Sequence, residues 1–232
     1  EAERQHALAE MQSVLASDTR DAQGKALTAL ERIVLAEQVL RQQFIAKPWL
    51  VVEGMAELSD RLYEMSDRDE QRAMLARART IAERAGLPSE LARIECALAY
   101  SLAYDDAVDS ARAAIAASHV ALSQAGGATE FSTAKCVDAE GQVLIAAGQP
   151  DSAVPLLRRA VALTEGDQFG SVHQSAMMDL SLALRGIGRT REAAEYQRRV
   201  GAFLQRTLGG VTHNVAAPPA VGCGWPANES AP

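Results

Sequence analysis

The chain of 232 residues repeats itself. Three segments, at 94–115, 140–161 and 180–201, align directly, and each has two runs of helical apolar spacing separated by a short break. We align Ala107, Ala153 and Ala193 as the residues that open the second run, which gives periods of 46 and 40 residues. A weaker copy from Leu58 has Gln71 at this place, 36 residues before Ala107. Repetition on this scale predicts stacked helical units.

Small residues recur at further places in these units. The middle of the first helix carries a small residue in three copies and a glutamate in the second copy: Ser59, Glu95, Gly141 and Ser181. A later place in the second helix carries Ala78, Ala114, Ala160 and Val200. Two helices approach closely only where the side chains between them are small. We therefore expect tight, buried crossings, above all at Gly141, Ala153, Ala160, Ser181 and Ala193.

This pattern resembles the tetratricopeptide repeat (TPR), a helical hairpin of about 34 residues with small residues at fixed places. The resemblance implies an all-α fold, a TPR-like solenoid in which about four hairpins over residues 48–208 stack into a right-handed superhelix. Residues 1–47 are then an N-terminal helical segment that leads into the array. Residues 209–232 are rich in Pro and Gly, which predicts a flexible tail. Trp225 in this tail could alternatively dock on a partner or on the array.

The N-terminal part is similar to the segment that leads into the TPR region of bacterial serine/threonine protein kinases. In that family a long helix ends before a proline that opens the first repeat, and Pro48 takes this place here, with Ala36, Leu40 and Phe44 on the apolar face of the helix. The resemblance implies a regulatory region that follows a kinase domain and a membrane span, on the extracytoplasmic side of a bacterial membrane. The sequence itself has no kinase motif.

The composition excludes several classes of protein. Aromatic residues make up 4% of the chain, too few for an immunoglobulin-type sandwich or a barrel. The net charge of −7 disfavours a nucleic-acid binder, because phosphates need a basic surface. The longest uncharged helical candidate, 113–129, is interrupted by polar residues and ends in two glycines, so we expect no membrane insertion of this chain.

No residue pattern indicates catalysis, a metal or a cofactor. The histidines are isolated from other ligand residues: His6, His119, His173 and His213. The odd cysteine, Cys223, and the other two, Cys96 and Cys136, do not form a disulfide framework. We expect Cys96 and Cys136 to pack as small apolar residues, and a bridge between them stays open because the sequence does not give their distance.

The TPR resemblance implies a groove lined by the first helices, which in such arrays binds a peptide. The register places twelve residues on this face: Glu53, Glu57, Asp60, Tyr63, Arg93, Tyr100, Lys135, Asp138, Gln142, Met178, Asp179 and Arg185. Ala56 and Asp60 stand where chaperone-binding TPR domains need a Lys and Asn pair, so we do not expect that mode of binding. The acidic first unit favours a partner that carries Lys or Arg.

We therefore expect a non-catalytic protein–protein interaction scaffold that binds a peptide or protein in its concave groove. The alternative is a TPR-type regulator that senses a small ligand or a signal peptide. Neither function requires a cofactor.

Overall fold

The computed structural model describes residues 2–20, 23–126, 130–165 and 170–208. In these ranges the chain forms helices and no β-strand. The helices are α1 (Ala2–Ala16), α2 (Ala29–Gln43), α3 (Pro48–Glu64), α4 (Arg68–Ala85), α5 (Pro88–Tyr104), α6 (Val108–Gln124), α7 (Glu130–Ala146), α8 (Pro150–Leu163), α9 (Gly170–Gly186) and α10 (Thr190–Leu208). The expected helical array is thus present. The predicted flexible tail, with Trp225 and Cys223, lies outside the described residues.

Consecutive helices pair into hairpins, α3 with α4, α5 with α6, α7 with α8 and α9 with α10. The first helices of these hairpins also contact one another in order, α3 with α5, α5 with α7 and α7 with α9. They therefore form one continuous layer, and each second helix contacts the first helix of the next hairpin. Helices α1 and α2 pack on each other and on α3. None of the described helices is both long enough and apolar enough to cross a lipid bilayer.

The turn inside each hairpin has the same backbone geometry. The residue two places before the second helix has a positive φ in all four hairpins: Ser66 (62°), Asp106 (58°), Gly148 (70°) and Gly188 (76°). This left-handed conformation is free of strain for glycine and unfavourable for a residue with a Cβ atom, although Asp tolerates it better than most. The four positions follow one another at intervals of 40, 42 and 40 residues, which defines the true repeat.

This repeat corrects the sequence alignment in its second unit. Gln71, Ala153 and Ala193 are each the fourth residue of their helix. The fourth residue of α6 is Ala111, which is fully buried and is therefore their equivalent. Ala107, which we aligned there, caps α6 and is half-buried. In the same way Ala99 replaces Glu95, and Ser118 replaces Ala114. Each error is one helical turn of four residues, which leaves the apolar face of a helix almost unchanged.

The tight crossings that the small residues predict are confirmed. Ala153, Ala160 and Ala193 have no exposed surface, and Ser181 is 2% exposed. At Gly141 a Cβ atom would lie 2.5 Å from Cδ2 of Leu157, so α7 and α8 touch where only glycine fits. Gln71 is the large residue at such a place, and the structure accommodates it with a hydrogen bond of 2.9 Å from the hydroxyl of Ser101.

The N-terminal helices are joined to the array by polar as well as apolar contacts. The carboxylate of Glu37 on α2 is buried and accepts hydrogen bonds from Nε and Nη2 of Arg77 on α4, at 3.0 and 2.7 Å. Hydrogen bonds to Glu37 and to Glu70 raise the pKa of Arg77. Because a buried charge is costly without a partner, this pair fixes α2 against the first hairpin.

Candidate binding groove

The regular repeat aligns side chains of successive first helices into rows. One row consists of Glu53, Arg93, Lys135 and Ser175, and a second consists of Ala56, Cys96, Asp138 and Met178, at intervals of 40, 42 and 40 residues. Residues in a row point to the same face because they occupy the same place in equivalent helices. Charged groups therefore meet across the layer of first helices although they are far apart in the sequence.

Three of the charged residues that the sequence places in the groove lie together near its first hairpin. Glu57 accepts a hydrogen bond of 2.6 Å from Nη2 of Arg93, and Glu53 lies 4.0 Å from Nη1 of the same guanidinium. Glu53 also accepts a hydrogen bond of 2.7 Å from Nε of Arg4 on α1. These charges are thus largely neutralised within the chain.

A cavity of about 460 Å³ opens at the centre of the layer, between α3, α5, α7 and α9 and the start of α4. Seven of the twelve residues that the sequence assigns to the groove line it: Asp60, Tyr63, Tyr100, Lys135, Asp138, Met178 and Asp179. The other five, Glu53, Glu57, Arg93, Gln142 and Arg185, do not line it. Gln142 is buried and Arg185 is exposed near the end of α9.

Two carboxylates form the floor of the cavity. Asp179 on α9 is 8% exposed, and its Oδ2 accepts a hydrogen bond of 2.9 Å from the hydroxyl of Tyr100 on α5. Asp138 on α7 is 4% exposed, and its Oδ1 has no hydrogen-bond partner among the described residues. Ser175, one turn before Asp179, lies 3.1 Å from the hydroxyl of Tyr100. Three first helices thus meet in one polar network.

Burial changes the protonation of this network. Burial raises the pKa of Asp179 to about 7, and the hydrogen bond from Tyr100 acts in the opposite direction. The pKa of Asp138 is raised well above its usual value, first by burial and then by the charge of Asp179, while Ser175 and Lys135 lower it. Burial also raises the pKa of Tyr100. The two buried carboxylates therefore hold protons more tightly than solvated carboxylates do.

One wall of the cavity consists of aromatic rings around a guanidinium. Arg68, the first residue of α4, lies over the rings of Tyr63 and Tyr104, with its Cζ 4.3 and 4.0 Å from their centroids. Tyr63 also makes an edge contact with Tyr100, with the ring centroids 5.5 Å apart. Cations are attracted to the faces of aromatic rings, so this wall already holds one arginine.

The sequence did not predict several of the residues that line the cavity. Ser175 extends the row of Glu53, Arg93 and Lys135, so a correct repeat length would have identified it. Arg68 and Tyr104 lie next to the turns of their hairpins, and the groove was predicted from the middles of the first helices. Met178 and Tyr104 are 52% and 55% exposed, which leaves apolar surface at the edge of the cavity.

The structure answers the question that the sequence left open for the cysteines. Cys96 on α5 and Cys136 on α7 form a disulfide with their Cα atoms 5.0 Å apart. Both cysteines are buried, as expected of small apolar residues, and the bridge between them forms because the repeat brings α5 and α7 side by side at this level. Cys96 lines the cavity, so the bridge joins two of its walls. No cluster of His, Cys, Asp and Glu in the described ranges is suited to hold a metal ion.

Comparison with known proteins identifies the class of this fold. Residues 174–214 match the tetratricopeptide repeat family. No curated protein matches the chain. The crystal structure of BtubC (BKLC) from P. vanneervenii is similar over 95% of this chain and 95% of that chain, with 15% sequence identity and a TM-score of 0.52. The crystal structure of a variant of the kinesin light chain TPR-like repeats of Podosopora anserina is similar over 90% of this chain and 95% of that chain, with 15% sequence identity and a TM-score of 0.48.

The chain thus has the fold of a TPR-like α-solenoid, as its sequence predicts. Repeats of this kind generally mediate protein–protein interaction and are typically non-catalytic.

Proposed function

We propose that this protein is a non-catalytic interaction module that binds a peptide segment of a partner protein in the groove of its first helices. The observation that carries the proposal is the cavity, which collects polar and aromatic side chains from five helices at one place. The exposed surfaces of Met178 and Tyr104 at its edge add apolar contact area. A groove with apolar edges and a few convergent polar groups is suited to hold a peptide by one or two anchoring side chains.

The charges of the groove favour a basic partner. Acidic side chains outnumber basic ones among the described lining residues: Asp60, Glu64, Asp138 and Asp179 against Arg68 and Lys135. The two cations are engaged within the chain, Lys135 by Asp60 and Arg68 by Asp105, which lies 3.5 Å from its Nε. Once Asp138 and Asp179 are ionised, the cavity carries a net negative charge that attracts Lys or Arg and repels Asp or Glu.

A second candidate function is the sensing of a small ligand, and the size of the cavity favours it. Its volume of about 460 Å³ falls within the range of about 300–1,000 Å³ that is usual for small-molecule pockets. The lining carboxylates, once ionised, favour a ligand that carries a positive charge.

The place of this module in a bacterial signalling kinase remains a prediction from sequence resemblance. It agrees with Pro48 as the first residue of α3 and with the burial of Ala36, Leu40 and Phe44. The sequence that precedes Glu1 in the gene tests this prediction directly.

A panel of defined peptides tests the proposed function. Nine-residue acetylated and amidated peptides that differ in charge, either with lysines and arginines or with glutamates, are titrated into the protein and followed by fluorescence anisotropy. We expect the basic peptides to bind and the acidic ones to fail. Charge reversal by Glu57→Lys with Asp60→Lys should weaken the basic peptides at least tenfold.

The matched control is Glu83→Lys with Glu195→Lys, which reverses two exposed carboxylates on the second helices α4 and α10. This control should bind like the original protein. Equal binding of basic and acidic peptides, or equal loss in both double variants, would overturn the proposal.

A further inference from the structure

We propose that the floor of the cavity is a subsite for one arginine side chain of the bound peptide, with its guanidinium held between Asp138 and Asp179. This inference rests on the proposed function and names the chemical group that anchors the partner. It is carried by the geometry of the two carboxylates and of the tyrosines beside them.

The first observation is the unsatisfied acceptor at Asp138. Its Oδ1 is buried and has no hydrogen-bond partner in the described part of the chain, and the Asp138 residue is one of those that line the cavity. A buried carboxylate oxygen without a donor costs free energy, and a donor from a ligand removes that cost. Neither neighbouring cation donates to this oxygen: Lys135 pairs with Asp60, and Arg68 lies over the tyrosine rings.

The second observation is that donors around the pair are few. Asp179 accepts from Tyr100, and Ser175 lies within hydrogen-bond distance of the same tyrosine hydroxyl. Two neutral hydroxyls do not neutralise two carboxylates. Asp138 and Asp179 therefore can accept further hydrogen bonds, and without a ligand they hold protons. A guanidinium has five N–H donors in a plane and can contact both carboxylates at once.

The third observation distinguishes arginine from lysine. The wall next to the carboxylates consists of Tyr63, Tyr100 and Tyr104, whose rings meet edge to face. Arg68 already lies over the rings of Tyr63 and Tyr104, so the aromatic ring left beside the carboxylates is that of Tyr100, whose hydroxyl donates to Asp179. A flat, delocalised cation gains from both the carboxylates and this ring, whereas an ammonium gains mainly from the charge.

The binding of a guanidinium should depend on pH, because Asp138 and Asp179 hold protons that the guanidinium replaces. The other charged and titratable groups that line the cavity are Asp60, Tyr63 and Glu64 on α3, and Arg68 on α4. On α5 and α7 they are Tyr100, Tyr104 and Lys135, and no described lining residue is a histidine. A guanidinium replaces protons on the carboxylates, so we expect its affinity to rise by up to tenfold per pH unit between pH 5 and 7.

The test uses a pair of matched peptides. An acetylated and amidated nine-residue Ala/Ser peptide with one central arginine is compared with the same peptide carrying citrulline, which is neutral and has nearly the same shape. Titrations at pH 7.5 are followed by the backbone amide signals of the isotope-labelled protein, which also report millimolar affinities. We expect the arginine peptide to shift signals of the cavity helices and to bind at least tenfold more tightly than the citrulline peptide.

Protein variants complete the cycle. Asp138→Asn and Asp179→Asn keep the shape of the side chains and remove the charge, so either should abolish the preference for arginine over citrulline. Glu195→Gln, an exposed carboxylate on α10, is the control and should keep it. A preference for arginine that survives Asp138→Asn, or equal binding of the two peptides, would overturn the subsite.

Other outcomes separate the subsite from the proposed function. If basic peptides bind and respond to the double reversal at Glu57 and Asp60 but not to Asp138→Asn or to citrulline, the proposed function stands and the subsite fails. Free agmatine, a guanidinium without a peptide, is titrated in parallel. Binding of agmatine but of no peptide would overturn the subsite as stated and the proposed function with it, in favour of a small-ligand sensor.

Discussion

Replacement of Asp179 by asparagine should stabilise the protein, and the gain should depend on pH. The carboxylate has an ordinary pKa of 3.8 when solvated and a pKa of about 7 in the folded protein. The folded state therefore binds a proton more tightly than the unfolded state does. Stability falls as the pH rises from about 4 to about 7, because the unfolded chain releases its proton more easily than the folded protein does. Above that range both states are ionised, so stability no longer changes with pH.

The size of this effect follows from the two pKa values. One pKa unit is worth about 1.4 kcal/mol, so the raised pKa of Asp179 costs about 4 kcal/mol of stability at pH 8, where the folded state is ionised. It costs about 2 kcal/mol at pH 5, where the folded state is protonated and the unfolded state is ionised. An asparagine side chain avoids this cost and can still accept the hydrogen bond from Tyr100. Its amide group adds a desolvation cost of about 1–3 kcal/mol that does not change with pH. The diagnostic quantity is therefore the difference between pH 8 and pH 5, about 2–3 kcal/mol.

Thermal unfolding followed by circular dichroism at 222 nm measures this difference. For a chain of this length 1 kcal/mol corresponds to about 2–4 °C in Tm, so the gain in Tm should be about 8 °C larger at pH 8 than at pH 5. Glu195→Gln is the matched control, because its carboxylate is 56% exposed and pairs with Arg198 on the surface. It should change Tm by a degree or two at either pH.

The reasoning would be refuted by a shift in Tm that is the same at pH 5 and pH 8. It would also be refuted by a loss of stability that grows with pH, since that would mean that ionised Asp179 stabilises the fold. Neutralising Asp179 removes one cause of the raised pKa of Asp138, so the same titration should also show an easier ionisation of Asp138.

Three further predictions concern the packing of the array. Gly141→Ala should lower the free energy of unfolding by about 1–3 kcal/mol because it overpacks the crossing of α7 and α8. Gly201→Ala, where a Cβ atom meets open space, should raise it by about 1 kcal/mol through helix propensity. Equal effects of the two substitutions in urea unfolding would contradict the close crossing. Reduction of the Cys96–Cys136 bridge, which closes a loop of about 40 residues, should cost about 4 kcal/mol in the chain-entropy model; an unchanged urea midpoint with reductant would disprove the bridge. Arg77→Met should cost about 2–3 kcal/mol because it removes two hydrogen bonds from the buried carboxylate of Glu37 and leaves it with Arg41, 3.5 Å away. Glu37→Gln should restore most of this loss, and no rescue would show that the pair is not its cause.

The helical array could be predicted from the sequence because its determinants are local. A small residue at a crossing and apolar residues at helical spacing are visible without any knowledge of distant contacts, as at Gly141, Ala153 and Ser181. The register of the second unit could not be fixed in this way, because a shift of one helical turn keeps the same face apolar. The turn residues carry the missing information, since Asp106 occupies the left-handed place that glycine fills at 148 and 188.

Many of the residues that line the cavity could be predicted from the sequence, but their arrangement in space could not. Asp138 and Asp179 were both placed on the groove face, but nothing local indicates that α7 and α9 bring them to one floor. The burial of each depends on how the first helices splay at that level, and their pKa values follow from that burial. The same holds for the cysteines, whose distance is set by the contact between α5 and α7.

The position of the disulfide relates stability to recognition. The bridge fixes α5, which carries Tyr100, to α7, which carries Asp138 two residues after Cys136. The carboxylates lower stability at neutral pH, and a covalent link between two of the cavity walls offsets that cost where it arises. It also holds the tyrosine hydroxyl and the carboxylates at fixed positions before a ligand arrives, which reduces the entropy lost on binding. Reduction should therefore weaken the preference for arginine over citrulline more than it weakens the contacts at Glu57, which lies outside the cavity.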